Sequence, residues 1–233
     1  GEHTCADDAV SPLPSWCVAP MSVWTIVVAA GKGDRFGADK QSADLHGRPV
    51  LERSVAAAEG SDGVVVVVSA TAVEEVVQRL SGIDMVAAVV AGGATRSASV
   101  RAGLAVVPDD ASIVLVHDGA RPLASRGLFA AVVAAVRNGA DAVVPGVPVS
   151  DSLRRVEGAV DRTGMFAVQT PQGFPAATLR AAHAGGDDAS DDATLVESNG
   201  GRVVVVEGEA DNLKITRPVD LLVARELLGS SDG

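Results

Sequence analysis

Val64-Val65-Val66-Val67-Val68 is five consecutive valines. A strand with one wet face alternates apolar and polar residues. An unbroken β-branched run is instead a strand covered on both faces, as in a parallel sheet between helix layers. Outward from this run the same rhythm continues. Trp24 to Ala30 reads as a first buried strand ending at Gly31, and Val50 to Glu59 as a helix. After the valines come a helix over Ala72 to Leu80, a strand over Met85 to Val90 stopped by Gly92-Gly93, and a helix over Thr95 to Val106. Ser112 to Val116, Leu128 to Arg137 (closed by Asn138-Gly139) and Ala140 to Val144 complete a strand, helix, strand series. Such alternation predicts an α/β fold, a mostly parallel, doubly wound sheet with helices on both faces.

Right-handed crossovers put every parallel strand's C-terminus on one edge, where ligands bind. Three segments then share a rim: Gly31 to Arg35, Gly92 to Ser99 and Asp118 to Arg121. The rhythm breaks after Pro145. Residues 147–170 hold Pro148, Leu153 to Val156 and Phe166 to Val168 as short β-like pieces, and no helical period. They read as an arm outside the main sheet. Helices over Pro175 to Ala184 and Asp191 to Glu197, a strand over Arg202 to Val206 and a helix from Pro218 to Leu228 follow. One domain is expected over residues 21–229, with a short tail at 230–233.

The chain has 233 residues, 47% of them hydrophobic and 21% charged, enough apolar side chain for a core of this kind. Aromatics are only 3%, with no Tyr, so the stacking platforms of single-strand nucleic-acid binders are lacking. A net charge of −11 makes DNA and acidic membranes poor partners. A small phosphorylated ligand needs only a local convergence of basic groups. Both cysteines, Cys5 and Cys17, lie before Met21, so a disulfide framework, a Cys-based metal site and a thiol nucleophile are not expected in the domain. That favours a reducing cytoplasm. Residues 1–20 lack a basic start, a long apolar run and any periodicity, and read as a disordered extension ahead of Met21. No apolar stretch reaches the length of about 18 residues that spans a membrane.

The rim residues carry chemistry. Ala29-Ala30-Gly31-Lys32-Gly33-Asp34-Arg35 leaves a strand through two glycines whose backbone freedom lets amides converge on an anion. Arg35 and Lys40 follow. The plain alternative is a tight strand-to-helix turn; neither a Walker loop nor a complete dinucleotide fingerprint is present. Gly92 to Ser99 is a glycine-flexed turn into a helix N-terminus, with Thr95 as N-cap. Its amides, hydroxyls and Arg96 suit the polar edge of a base, or merely a capped helix. Asp118 ends a strand beside the phosphate loop, where a Mg²⁺ ligand belongs. Arg121 supplies a bidentate donor. His117 reads as structural, since no serine is placed to complete a hydrolase triad. Ser152, Arg154, Arg155 and Arg162 on the arm read as a solvated surface or as a lid over an anion. Lys214 returns to the rim after the last strand.

Six motifs occur in order: Ala29-Ala30-Gly31-x-Gly33-x-Arg35 with Lys40-Gln41; Val116-His117-Asp118-Gly119-Ala120-Arg121-Pro122; Pro148-Val149-x-Asp151-Ser152; Gln169-Thr170-Pro171-Gln172-Gly173-Phe174; Asp191-Asp192-Ala193; and Asp211-Asn212-x-Lys214-Ile215-Thr216. From Met21 to about Leu228 the chain resembles the 2-C-methyl-D-erythritol 4-phosphate cytidylyltransferases of the non-mevalonate isoprenoid pathway. The resemblance implies a Rossmann-like nucleotidyltransferase fold with a protruding β-arm, CTP and a polyol phosphate as substrates, and Mg²⁺ as cofactor. It implies that Ala29, Ala30, Gly31, Gly33, Arg35 and Lys40 hold the triphosphate, and that Gly92, Arg96 and Ser99 read cytosine and ribose. Asp118 matches the metal ligand, and Arg121, Ser152, Arg162, Thr170 and Lys214 match groups at the acceptor. Arg35, Lys40, Arg162 and Lys214 would be catalytic. A homodimer is implied too, because the family's arm enters a partner's site. Ser42, Ser152, Arg154 and Ser190 depart mildly from the family pattern. Ribitol-5-phosphate cytidylyltransferases share most of these motifs, and a non-catalytic nucleotide-binding regulator on the same fold is the rival from another class.

Overall fold

The structure, a computed structural model, describes residues 21–31, 36 and 40–231. The expected extension over 1–20, Gly33, Arg35 and the last two residues of the tail lie outside the described residues. In chain order the elements are β1 (Val23–Val28), β2 (Asp44–Leu45), β3 (Arg48–Pro49), α1 (Val50–Ala57), β4 (Gly63–Val68), α2 (Val73–Leu80), β5 (Val86–Ala91), α3 (Arg96–Leu104), β6 (Ile113–Asp118), α4 (Arg126–Arg137) and β7 (Ala142–Pro148). Then come β8 (Leu153–Arg155), β9 (Gly158–Val160), β10 (Phe166–Val168), β11 (Gln172–Pro175), α5 (Ala176–His183), α6 (Asp192–Ser198), β12 (Val203–Glu207) and α7 (Pro218–Ser231).

The main sheet runs β10-β7-β11-β6-β1-β4-β5, with β12 also paired to β7. β1 lies parallel between β4 and β6, and β4 pairs parallel with β5. The valine run is β4, and all six of its residues are buried. Its side chains alternate between two cores, as a strand's period of two requires. Val64, Val66 and Val68 join Leu51 and Val55 of α1, Leu80 of α2 and Phe129 and Val132 of α4 on one face. Val65 and Val67 join Val100 of α3, Leu179 of α5 and Leu195 of α6 on the other. Gly103 lets α3 close on the sheet: a Cβ there would meet Ile26 at 2.6 Å and Val67 at 3.1 Å. A third cluster, Leu45, Val50, Ile215, Leu221 and Ala224, ties α7 and the 215 region to the hairpin of β2 and β3.

Two readings from the sequence are corrected. First, residues 147–170 do not all lie outside the main sheet. Phe166 to Val168 pair antiparallel with Pro148 to Gly146, so the arm's roots are strands of the sheet, and β8 with β9 forms the two-stranded hairpin beyond them. The backbone groups of an emerging chain need partners, and β7 supplies them. Second, β11 inserts antiparallel between β6 and β7, where no strand was expected. Phe174 fills one core with no exposure, while Gly173 lets the opposite side close on α4. The hairpin of β2 and β3 was also not foreseen. Its turn, His46-Gly47, has positive φ at both positions (50° and 73°), the pattern that suits the twist of a two-residue hairpin.

A Cβ on Gly173 would overlap Val132 and stand 3.1 Å from both Leu115 and Val136. Gly173→Ala is therefore expected to cost about 1–3 kcal/mol by overpacking. Urea denaturation measures it; unchanged stability would show that β11 does not pack against α4 as described.

Candidate active site

The C-terminal ends of β1 and β6, the start of α3 and the segment after Asn212 enclose a cavity of about 390 Å³. Ala29, Ala30 and Gly31 line it from just beyond β1, Ser99 and Arg96 from α3, Asp118 from β6, and Lys40 and Lys214 from the loops. The rim is stitched by backbone: Ala29 N–H donates to Val67 O, Gly92 N–H to Val68 O, and Gly119 N–H to Val28 O, at 2.7–2.9 Å. Gly92 itself stands behind the wall, where a Cβ would strike Ala30 and Ser99. Gly93, Ala94 and Thr95 line the cavity instead, as do Gln41 and Thr216. Of the three residues of this turn matched to cytosine and ribose, Arg96 and Ser99 line the cavity and Gly92 does not.

Asp118 is the charge centre. Its carboxylate has 12% side-chain exposure and meets Lys214 Nζ at 2.8 Å, Arg121 Nε at 3.7 Å and Arg96 Nε at 3.9 Å. Burial opposes ionisation, but Lys214, Arg96 and Arg121 outweigh it and hold the carboxyl at about 2, below its ordinary 3.8. Lys214 is delivered by its neighbours. Asn212, fully buried, donates through Nδ2 to Thr170 O at 3.0 Å, and Ile215 N–H donates to Ala120 O at 2.8 Å. The lysine between them is half-exposed at the cavity wall.

Behind Asp118 lies a buried polar chain. Thr170 Oγ1 accepts from Asp118 N–H at 2.9 Å and meets His117 Nδ1 at 3.1 Å; His117 Nε2 meets Arg121 O at 3.1 Å. One proton arrangement satisfies all three groups. Thr170 donates to Nδ1, and the neutral Nε2–H tautomer of His117 donates to the carbonyl. Burial agrees with a neutral ring, since it pushes His117 from 6.5 down to about 4. The structural role expected of His117 is what its contacts describe.

Four of the matched acceptor residues lie off the wall of this chain's cavity. Arg121 and Thr170 were matched to acceptor binding, yet in the single chain both are buried and neither lines the cavity. Arg121 donates to Asn212 O at 2.6 Å and Val168 O at 3.4 Å, so its fork is spent on carbonyls and only Nε turns to Asp118. Its pKa is lowered, burial outweighing Asp118. Ser152 and Arg162 are exposed on the arm, and Arg162 donates to the carbonyls of Val149 and Ser150. They are not at this chain's own cavity.

Asp118 meets the requirements of a Mg²⁺ ligand. Among the described residues there is no group of three or more His, Cys, Asp or Glu that would cage an ion. A single ionised carboxylate at a cavity wall suits Mg²⁺, which keeps waters and takes its other ligands from substrate phosphates.

Basic groups and a helix N-terminus around one carboxylate, on the C-terminal rim of a doubly wound sheet, suit the phosphates of a nucleotide. The family model for IspD, 2-C-methyl-D-erythritol 4-phosphate cytidylyltransferase, matches residues 23–230. The enzyme of that name from Rhodococcus opacus is 47% identical over 88% of this chain and 95% of its own length. The bifunctional enzyme IspD/IspF of Clavibacter michiganensis is 45% identical, and the chain spans 55% of its length. The crystal structure of the Thermus thermophilus cytidylyltransferase superposes with a TM-score of 0.71 at 39% identity, over 89% of this chain and 98% of that one. The chain belongs to the 2-C-methyl-D-erythritol 4-phosphate cytidylyltransferase family.

Thr170→Val strands the Asp118 N–H and His117 Nδ1 without partners, at about 1–3 kcal/mol for each buried group. Loss of thermal stability is expected, with Thr170→Ser close to wild type. A stable Thr170→Val protein whose only defect is a raised acceptor KM would return Thr170 to the acceptor.

Proposed function

We propose that the chain transfers CMP from CTP to 2-C-methyl-D-erythritol 4-phosphate, releasing pyrophosphate and forming 4-diphosphocytidyl-2-C-methyl-D-erythritol. The observation that carries the chemistry is the Asp118 carboxylate, ionised and 2.8 Å from Lys214, in a cavity that also holds Lys40 and Arg96. An acceptor phosphate oxygen attacks the α-phosphorus of CTP. The new O–P bond forms as the bond to the β-phosphate oxygen breaks, and pyrophosphate leaves with that electron pair. A phosphomonoester with a second pKa near ~6 is mostly dianionic at neutral pH, so no general base is needed. The work is to bring two anions together and to stabilise the charge that builds up between them.

Lys40 faces the triphosphate, since lysines favour phosphate oxygens, while Arg96 and Ser99 at the start of α3 face the cytosine and ribose. Lys214 leaves Asp118 for the incoming phosphate, a short movement for a half-exposed side chain. Asp118 would hold Mg²⁺ through its cavity-facing carboxylate. Bound there, the ion would neutralise part of the triphosphate charge. Ribitol 5-phosphate is not the favoured acceptor, because the family match points to methylerythritol phosphate. A binder without catalysis is not favoured either, because family members are transferases.

We also propose a homodimer in a cytoplasmic setting, with the arm of each chain entering its partner's cavity. Support comes from the arm itself. Leu153, Val156, Met165, Phe166 and Val168 expose apolar surface beside Ser152 and Arg162, the matched acceptor residues. None of these lies at the chain's own cavity.

Lys40→Ala and Lys214→Ala are expected to fold normally and lose about 10²–10³ in turnover, as removal of a fixed transition-state donor does. Pyrophosphate release with CTP, UTP, ATP or GTP against methylerythritol phosphate and ribitol 5-phosphate measures both this and the substrate assignment. Near-wild-type kcat in either variant would remove that lysine from the chemistry. Mixing inactive Lys40→Ala and Arg162→Ala chains should restore about a quarter of wild-type activity by random pairing in a twofold dimer. No recovery would contradict arm exchange.

A further inference from the structure

The Asp191-Asp192-Ala193 motif has no part in the mechanism above, yet Asp192 is fully buried and touches a cavity residue. Its Oδ2 accepts from Arg96 Nη1 at 2.7 Å, and its Oδ1 meets His183 Nε2 at 3.0 Å. A buried carboxylate is costly unless every lone pair of consequence has a donor. Here each oxygen has one. Arg96 is not buried with it: the guanidinium side chain keeps 23% exposure, lines the cavity, and turns Nε to within 3.9 Å of Asp118. The carboxylate therefore stands behind and the guanidinium in front. Burial lowers the pKa of Arg96, but Asp192 and Asp118 more than reverse it, so the cation is held raised above its ordinary value.

The rest of the segment repeats the pattern. Thr95, the N-cap of α3, donates to Asp188 at 2.7 Å while its oxygen accepts from Ala98 N–H. Ser97 Oγ accepts from Ala189 N–H at 3.2 Å, and Arg101 donates to Asp187 O at 2.9 Å. The segment is itself fixed to the sheet. Gln172 of β11 donates to Asp191 at 3.1 Å and accepts from Ala193 N–H at 3.3 Å. A rigid path thus runs from the inserted strand through residues 187–193 to the turn that opens α3.

We infer that Asp192, held by His183, is a positioning residue for the nucleotide: it fixes the pose of Arg96 and so sets how tightly the α3 turn grips CTP. This rests on the reading of the cavity as the CTP site. A purely structural role, α6 merely clamped to α3, would lower stability and affect both substrates alike. Positioning through Arg96 instead acts on CTP and leaves the acceptor alone.

The experiment measures CTP binding calorimetrically, and steady-state kinetics for both substrates, on the full chain and on Asp192→Asn, Arg96→Ala and their double variant. A guanidinium released from its carboxylate must be ordered again when the ligand binds, which weakens the grip. Asp192→Asn is expected to bind CTP about tenfold or more weakly, with acceptor KM and kcat at saturating CTP within about threefold of wild type. The double variant should bind no more weakly than Arg96→Ala alone, because the two act as one unit. Wild-type CTP affinity in folded Asp192→Asn overturns the inference, as does a double variant whose defect is the product of the two single ones. If Asp192→Asn does not fold, His183→Leu, which removes the donor to Oδ1, is expected to weaken CTP binding several-fold while His183→Gln does not. Identical CTP affinity in those two overturns it. A wild-type chain that binds no CTP overturns the nucleotide reading of the cavity, and this inference with it.

Discussion

The charge on Asp118 is the constraint on which the rest of the site depends. A carboxylate at the end of a fully buried strand is expensive to ionise, and here three cations offset that cost. Each cation comes from a different part of the chain. Lys214 follows the last strand of the sheet, Arg96 opens α3, and Arg121 sits three residues beyond Asp118. The ion cluster therefore sets the relative positions of the parts that must meet two phosphorylated substrates. The same cluster explains how an acidic protein offers an anion site: net charge is a property of the whole surface, while binding depends on the local field.

The fold serves that cluster. β6 carries His117 and Asp118 between two cores, and β11 lies antiparallel along it, so Thr170 arrives beside both residues. The neutral, buried His117 links Thr170 to the carbonyl of Arg121. Arg121 in turn holds the carbonyl of Asn212, two residues from Lys214. The polar chain is closed on the protein side and open only at the cavity, where Asp118, Arg96 and Lys214 remain partly exposed.

Much of this was legible in residues alone. The valine run and its neighbours gave the parallel layers, because burial on both faces leaves a plain pattern. The rim segments could be grouped by topology alone, and Ala29, Ala30, Gly31, Lys40, Arg96, Ser99, Asp118 and Lys214 do line one cavity. What was not legible depends on tertiary contact. Gln172-Gly173-Phe174, flanked by prolines, is assigned no element from the sequence, but pairing with β6 makes it a strand. The burial of Arg121 and Thr170, and their bonds to Asn212 O and to Asp118 N–H, arise from contacts distant in sequence. Asp192 looks like any helix-starting acid until His183 and Arg96, distant in sequence, are seen on its two oxygens.

The central claim is direct transfer of CMP between two anions held by fixed charge, with no nucleotide covalently attached to the protein on the way. A single in-line displacement inverts configuration at the α-phosphorus; two successive displacements through an enzyme-bound intermediate retain it. The most direct measurement is the configuration of the product formed from one diastereomer of CTP carrying sulfur on the α-phosphorus, with methylerythritol phosphate as acceptor. Inversion is the expected result. Retention would contradict the account, since it would require a protein nucleophile where the site is described as supplying only charge and position.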